Sequence, residues 1–83
     1  MHDILFKDIQ VLTDDLFQGG ALLAWMTVAE NVALPLVETT ALADDEIDRR
    51  VAAALAAVEL TDAAEKYPAE ISGGMQKRAG LAR

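Results

Sequence analysis

The sequence predicts a mainly α fold: a small helical unit of three to four short helices, with room for a short β-hairpin at the N-terminus. Three observations predict it. Apolar residues make up 53% of the chain but aromatics only 5%. Much of the apolar content is alanine, which suits close helix packing better than a sheet sandwich. Ile47, Val51, Leu55 and Val58 recur at helical spacing, with Ala54 on the same face. Two helix-start signatures, one at Thr27 and one at Ser72, flank that segment.

Taken in order, residues 4–11 have strand-like apolar content, and Thr13, Asp14 and Asp15 punctuate them. Leu16, Phe17 and Gln18 form a candidate second strand ended by Gly19 and Gly20, so a small hairpin fits here. Thr27 with Glu30 three residues on has the capping-box pattern and predicts a helix over residues 28–34. Pro35 lacks an N–H and disfavours helix at Leu34, so that helix is expected to end or kink there. Residues 38–43 read as a loop. Asp44 or Asp45 is expected to cap the next helix, the clearest amphipathic segment, which runs to about Val58. A third, short helix is expected from Thr61 or Asp62 to about Lys66, where Tyr67 and Pro68 interrupt it. Ser72 opens the last helix, with Met75, Ala79 and Ala82 on one side.

A length of 83 residues allows one small domain, spanning residues 1–83. The absence of cysteine excludes disulfide staples and thiolate metal sites. A formal charge of −7 leaves no broad basic surface for phosphates, so nucleic acid is excluded as a partner. Residues 1–7 lack the basic start and long apolar stretch of a signal peptide. The longest mostly apolar run, residues 19–37, is broken by Glu30, Asn31 and Pro35, too polar for a membrane span. The chain is therefore expected to be soluble and cytoplasmic.

The Ser72-Gly73-Gly74 segment carries the most chemistry. Ser72 sits where a helix begins, and the two glycines let another molecule approach their N–H groups closely. A helix start carries partial positive charge and unpaired donors, so this is a phosphate cradle in outline. Taken alone, a turn and cap is the commoner meaning of such a segment.

The wider pattern changes that balance. Ile71-Ser72-Gly73-Gly74-Met75-Gln76-Lys77-Arg78 resembles the signature motif of ABC-transporter ATPases, usually written LSGGQ. Leu16-Phe17-Gln18 resembles their Q-loop, and residues 27–36 are similar to the segment that follows it. The order and separation of these pieces also match, over residues 16–83. The resemblance divides the chain into a β-like segment and Q-loop (1–20), a helical subdomain (21–71) and the signature motif with its helix (72–83). Within the family, the wording around Gly19 and Ser72 looks closest to the phospholipid-transport branch partnered with MCE-type proteins.

The resemblance implies specific roles. Gln18 would contact the magnesium ion and the attacking water. Residues 19–26 would face the coupling helix of a transmembrane permease subunit. Ser72, Gly73 and Gly74 would touch the γ-phosphate of ATP held by a second ATP-binding subunit, in a homodimer. Met75 departs from the final Gln of the signature, which puts a side-chain contact there in doubt but not the backbone ones. The intact complex would work on the cytoplasmic face of the cell membrane, moving lipid. No G-x-x-x-x-G-K-[ST] motif and no strand ending in Asp-Glu occurs, and His2 lies at the wrong end for a switch histidine. The chain alone is therefore expected to bind no ATP or magnesium and to lack ATPase activity. Residues 4–9 resemble a family strand that normally lies farther from the Q-loop, so the chain reads as a fragment or a shortened form.

Other readings stay open. Trp25 is either a partner contact or a cap on the core. Asp44, Asp45, Glu46 and Asp48 read as a solvated helix start in preference to a metal site. Lys77 and Arg78 read as a solvated helix face, and Tyr67 as packing beside Pro68. An alternative function is a free-standing helical regulator using an apolar patch at residues 22–26. A further one is an ABC ATPase outside transport. Self-association would follow from apolar surface left uncovered.

Overall fold

The computed structural model describes residues 22–83. They form three α-helices, α1 (Val28–Thr39), α2 (Asp44–Ala57) and α3 (Gly73–Ala82). Two 3-10 turns, Thr61–Ala63 and Pro68–Glu70, lie between α2 and α3. No strand occurs among the described residues, so the mainly α expectation holds there. The hairpin expected within residues 4–18 lies outside them.

α1 begins as the sequence predicts. Thr27 is extended, its hydroxyl accepts the Glu30 N–H at 3.2 Å, and Glu30 accepts the Thr27 N–H at 2.8 Å. The Thr27 carbonyl accepts the Asn31 N–H at 2.9 Å. The first two N–H groups of the helix lie beyond the reach of this cap. They donate to later chain instead: Val28 to the Lys66 carbonyl at 2.8 Å and Ala29 to the Ala64 carbonyl at 3.0 Å. All four donors that a helix start leaves without intrahelical partners are thus satisfied.

Asn31 is the one buried polar residue among those described, with no exposed surface. Its Oδ1 accepts the Leu23 N–H at 2.7 Å. Its amide group donates to the carbonyls of Leu23 (3.1 Å), Met26 (3.2 Å) and Thr27 (3.0 Å). Two hydrogens serve three acceptors, so at least one is shared. This side chain fastens the turn at residues 23–27 onto the first turn of α1.

Of the two outcomes expected at Pro35, an end does not occur, and residues 38–39 are helix and not loop; α1 continues through Pro35 to Thr39. Proline in a helix interior removes one hydrogen bond and costs roughly 3 kcal/mol. Burial on both sides offsets that. Val32 and Ala33 join the main core, Leu34 joins a second cluster with Leu23 and Met26, and Leu36 and Val37 pack beyond the proline. The helix then ends in side-chain bonds, with the Thr39 hydroxyl on the Pro35 carbonyl (2.6 Å) and the Thr40 hydroxyl on the Leu36 carbonyl (2.5 Å). Tertiary packing overrides the local stop signal.

α2 buries Ile47, Val51 and Leu55 against α1, on the face the periodicity marks. Its cap, however, is Ala43 and not Asp44 or Asp45. Ala43 is extended and its carbonyl accepts the Ile47 N–H at 3.0 Å, with no side-chain cap. Asp44, Asp45 and Glu46 fill the first turn, where negative charge suits the helix dipole. Glu46 pairs with Arg49 and, at 3.1 Å, with Arg50. The Arg50 hydrogen bond and the Arg49 charge hold the Glu46 carboxyl below its ordinary value.

The end of α2 is a Schellman motif. The Glu59 N–H bonds the Ala56 carbonyl at 3.1 Å and the Leu60 N–H bonds the Leu55 carbonyl at 2.8 Å. Leu55 and Leu60, the pair such a motif brings together, are both buried in the main core. Glu59 takes the left-handed conformation, φ 61°, that glycine usually fills. The short helix expected over residues 61–66 is reduced to the 3-10 turn Thr61–Ala63. Bonds three residues apart continue to Lys66, and the Ala64 and Lys66 carbonyls serve α1. α3 completes the core through buried Ala79, with Met75 and Ala82 packed beside it as expected.

Asn31→Ala leaves buried N–H and carbonyl groups around Leu23 unpaired and is expected to lower stability by about 2–4 kcal/mol in urea unfolding. Glu59→Gly relieves the left-handed strain and is expected to raise the melting temperature, by a gain of up to about 1 kcal/mol.

Candidate functional site

Ser72 caps α3 much as Thr27 caps α1. It is extended (φ −69°, ψ 163°), its hydroxyl accepts the Met75 N–H at 3.1 Å, and its carbonyl accepts the Gln76 N–H at 2.9 Å. The third and fourth donors of the helix are therefore closed by the cap residue in both cases. The first two differ. In α1 they belong to Val28 and Ala29 and are closed by the Lys66 and Ala64 carbonyls. In α3 they belong to Gly73 and Gly74, which are exposed and precede the first position with an intrahelical acceptor.

The local fold does not ask for glycine at either position. A Cβ built on Gly73 would meet nothing within 4 Å, and one on Gly74 would meet only the Ser72 hydroxyl at 4.0 Å. Neither takes a positive φ. Each glycine inside a helix costs about 0.5–1 kcal/mol relative to alanine. Two glycines that local packing would accept as alanine leave bare N–H groups at the positive end of a helix. That arrangement suits the close approach of an anionic oxygen.

The segment leading into this start is tied to itself. The Tyr67 N–H donates to Glu70 Oε1 and the Glu70 N–H donates to the Tyr67 carbonyl, both at 2.8 Å. The Pro68 carbonyl accepts the Gln76 side-chain amide at 2.8 Å and the Ile71 N–H at 3.3 Å. Arg78 donates through Nε to the Val58 carbonyl at 3.1 Å, joining α3 to the end of α2. Lys77 and Arg78 are both exposed, as a solvated helix face requires, and Arg78 in addition bonds that carbonyl.

The structure separates the remaining candidates. Gln18 lies outside the described residues, so its place relative to Ser72 is not part of this geometry. Trp25 is 52% exposed, whereas Leu23 and Met26 on either side of it are buried. It therefore does not cap the core. The apolar patch expected at residues 22–26 is also corrected: Leu23 and Met26 face inward and form the second cluster with Leu34, and Leu22 is half-buried against the main core. Tyr67 is exposed beside a buried Pro68. Asn31 and Gln76, the side chains with the most informative bonds, were not singled out by sequence reasoning. A polar residue inside an apolar run, four positions after a capping threonine, was the signal available for Asn31.

A family model described as ABC transporter matches residues 3–83. The chain belongs to the ABC transporter family. Curated relatives of this ABC chain include methionine import ATP-binding protein MetN 1 of Pseudomonas fluorescens strain Pf0-1, 56% identical over 68 residues. MetN 2 of Pseudomonas entomophila is also 56% identical over 68 residues, and MetN 2 of Pseudomonas aeruginosa strain UCBPP-PA14 is 47% identical over 68. Each match covers 82% of this chain and 20% of the relative, so the chain spans about a fifth of the length of the curated relatives it matches. Among the described residues of this ABC chain, no helix is long and apolar enough to cross a membrane.

Because alanine fits at both positions, Gly73→Ala and Gly74→Ala are expected to stabilise the 83-residue chain by roughly 0.5–1 kcal/mol each, read by thermal unfolding.

Proposed function

We propose that this chain supplies the Q-loop and the signature motif of an ABC importer's ATP-binding subunit. The observation that carries the reading is the start of α3. It is a serine-capped helix whose first two N–H groups are exposed glycine donors, in a chain of this family. Ser72, Gly73 and Gly74 would meet the γ-phosphate of ATP held by a second copy of the subunit. Gln18 would serve the magnesium ion of the intact protein. ATP with magnesium supplies the phosphoryl chemistry when bound; this chain's part is to present donors to it.

The turn at residues 23–27 would face a transmembrane permease subunit, with Trp25 outward. The complex would sit on the cytoplasmic face of the membrane. The relatives named above are called methionine import proteins, so the proposed cargo is methionine or a similar amino acid. The lipid cargo suggested by the wording of the motifs has no support among them and is not carried forward.

Two measurements test this. Titrating magnesium-ATP into the 83-residue chain is expected to give no heat of binding, because no P-loop lysine or glycine cradle is present to grip the nucleotide in cis. Micromolar binding contradicts that. A chimera can also be made from the Pf0-1 relative by replacing its 68 matched residues with those of this chain. It is expected to turn over ATP, and Gly74→Asp within it to abolish turnover. An unaffected Gly74→Asp chimera contradicts the phosphate reading.

A further inference from the structure

We propose that Gln76 is a positioning residue, which sets the direction of the Ser72–Gly74 cradle through its bond to the Pro68 carbonyl. The proposal rests on the phosphate reading above. The need for such a brace follows from the chain's geometry. Ile71 (φ −124°, ψ 160°) and Ser72 (φ −69°, ψ 163°) are both extended and join the Pro68–Glu70 turn to α3. The backbone of such a joint has only its φ and ψ rotations to set its direction, and these are soft. The cap bonds of Ser72 lie within α3 itself, on Met75 and Gln76. They shape the helix start but do not orient it on the turn.

Gln76 spans that joint. From the fourth position of α3 its side-chain amide reaches back eight residues to the Pro68 carbonyl at 2.8 Å. The carbonyl it grips is a fixed point. Pro68 is buried, its ring restricts φ, and the residues around it are closed by the reciprocal Tyr67 and Glu70 bonds. The middle of α3 is held separately, by Ala79 in the core and by Arg78 on the Val58 carbonyl. Ile71 and Met75 also pack on the core beside this start, so loss of Gln76 loosens the direction of the helix start without releasing the helix. What changes is where the Gly73 and Gly74 N–H groups face. Small misplacements of that kind reduce rate and leave the opposite subunit's own hold on ATP intact.

The test uses the chimera described above. Gln76→Ala is expected to lower kcat roughly ten- to a hundredfold, because oriented donors are displaced from the reacting phosphate. The KM for ATP is expected to stay within about twofold of the parent value, since binding in cis is untouched. Gln76→Lys restores an N–H donor within reach of Pro68 and is expected to recover most of the rate. Thermal unfolding of the Gln76→Ala chimera at the parent temperature separates misorientation from unfolding. A parent-level kcat in Gln76→Ala, with Gly74→Asp inactive, overturns the brace alone. Turnover surviving in Gly74→Asp overturns the phosphate reading and this proposal with it. A kcat that falls in Gln76→Ala and is not recovered by Gln76→Lys also overturns the brace.

Discussion

A carboxamide buried in the first turn of a helix must place two donor hydrogens and an acceptor, and Asn31 places them all on the backbone of three residues. Leu23 gives it an N–H and a carbonyl, and Met26 and Thr27 give carbonyls. Were these groups left unpaired without water, each would cost about 1–3 kcal/mol, so the side chain and the turn stabilise one another or fail together. Much else depends on this contact. It holds Leu23 and Met26 inward against Leu34, which in turn leaves Trp25 outside. It also sets Thr27 at the cap of α1, and α1 contributes to both apolar clusters.

The same physics of helix starts explains the candidate site by contrast. Thr27 and Ser72 each close the third and fourth donors of their helices. The first two donors of α1 are taken by carbonyls near Lys66, which locks the centre of the unit. Those of α3 belong to exposed glycines with space around them. One helix start is closed by the fold and the other is left open, and the local stability lost to Gly73 and Gly74 has no return within the described residues.

How much of this was legible in the sequence follows the range of the forces involved. The face of α2 was legible because Ile47, Val51 and Leu55 repeat at the helical period. The caps at Thr27 and Ser72 were legible because their partners lie three residues away. The path of α1 through Pro35 was not, because the compensating burial comes from α2 and from the turn at residues 23–27. Asn31 read as an interruption of an apolar run, since its partners are backbone atoms that any sequence would supply. Nothing in the letters marked Glu59 as left-handed or Ala43 as a cap. At the site, the motif located the helix start, but only the Cβ space around Gly73 and Gly74 separates glycines needed for packing from glycines that leave donors bare. The bond from Gln76 to Pro68 joins side chain to backbone eight residues back, a pairing no residue-type pattern specifies.

Two similarly capped helices differ in whether their first two N–H groups are closed. Amide hydrogen exchange of the 83-residue chain tests it most directly, residue by residue. Val28 and Ala29 are expected to exchange slowly, with the core, and Gly73 and Gly74 at close to the unprotected rate. Protection of Gly73 and Gly74 equal to that of Val28 and Ala29 would contradict the account.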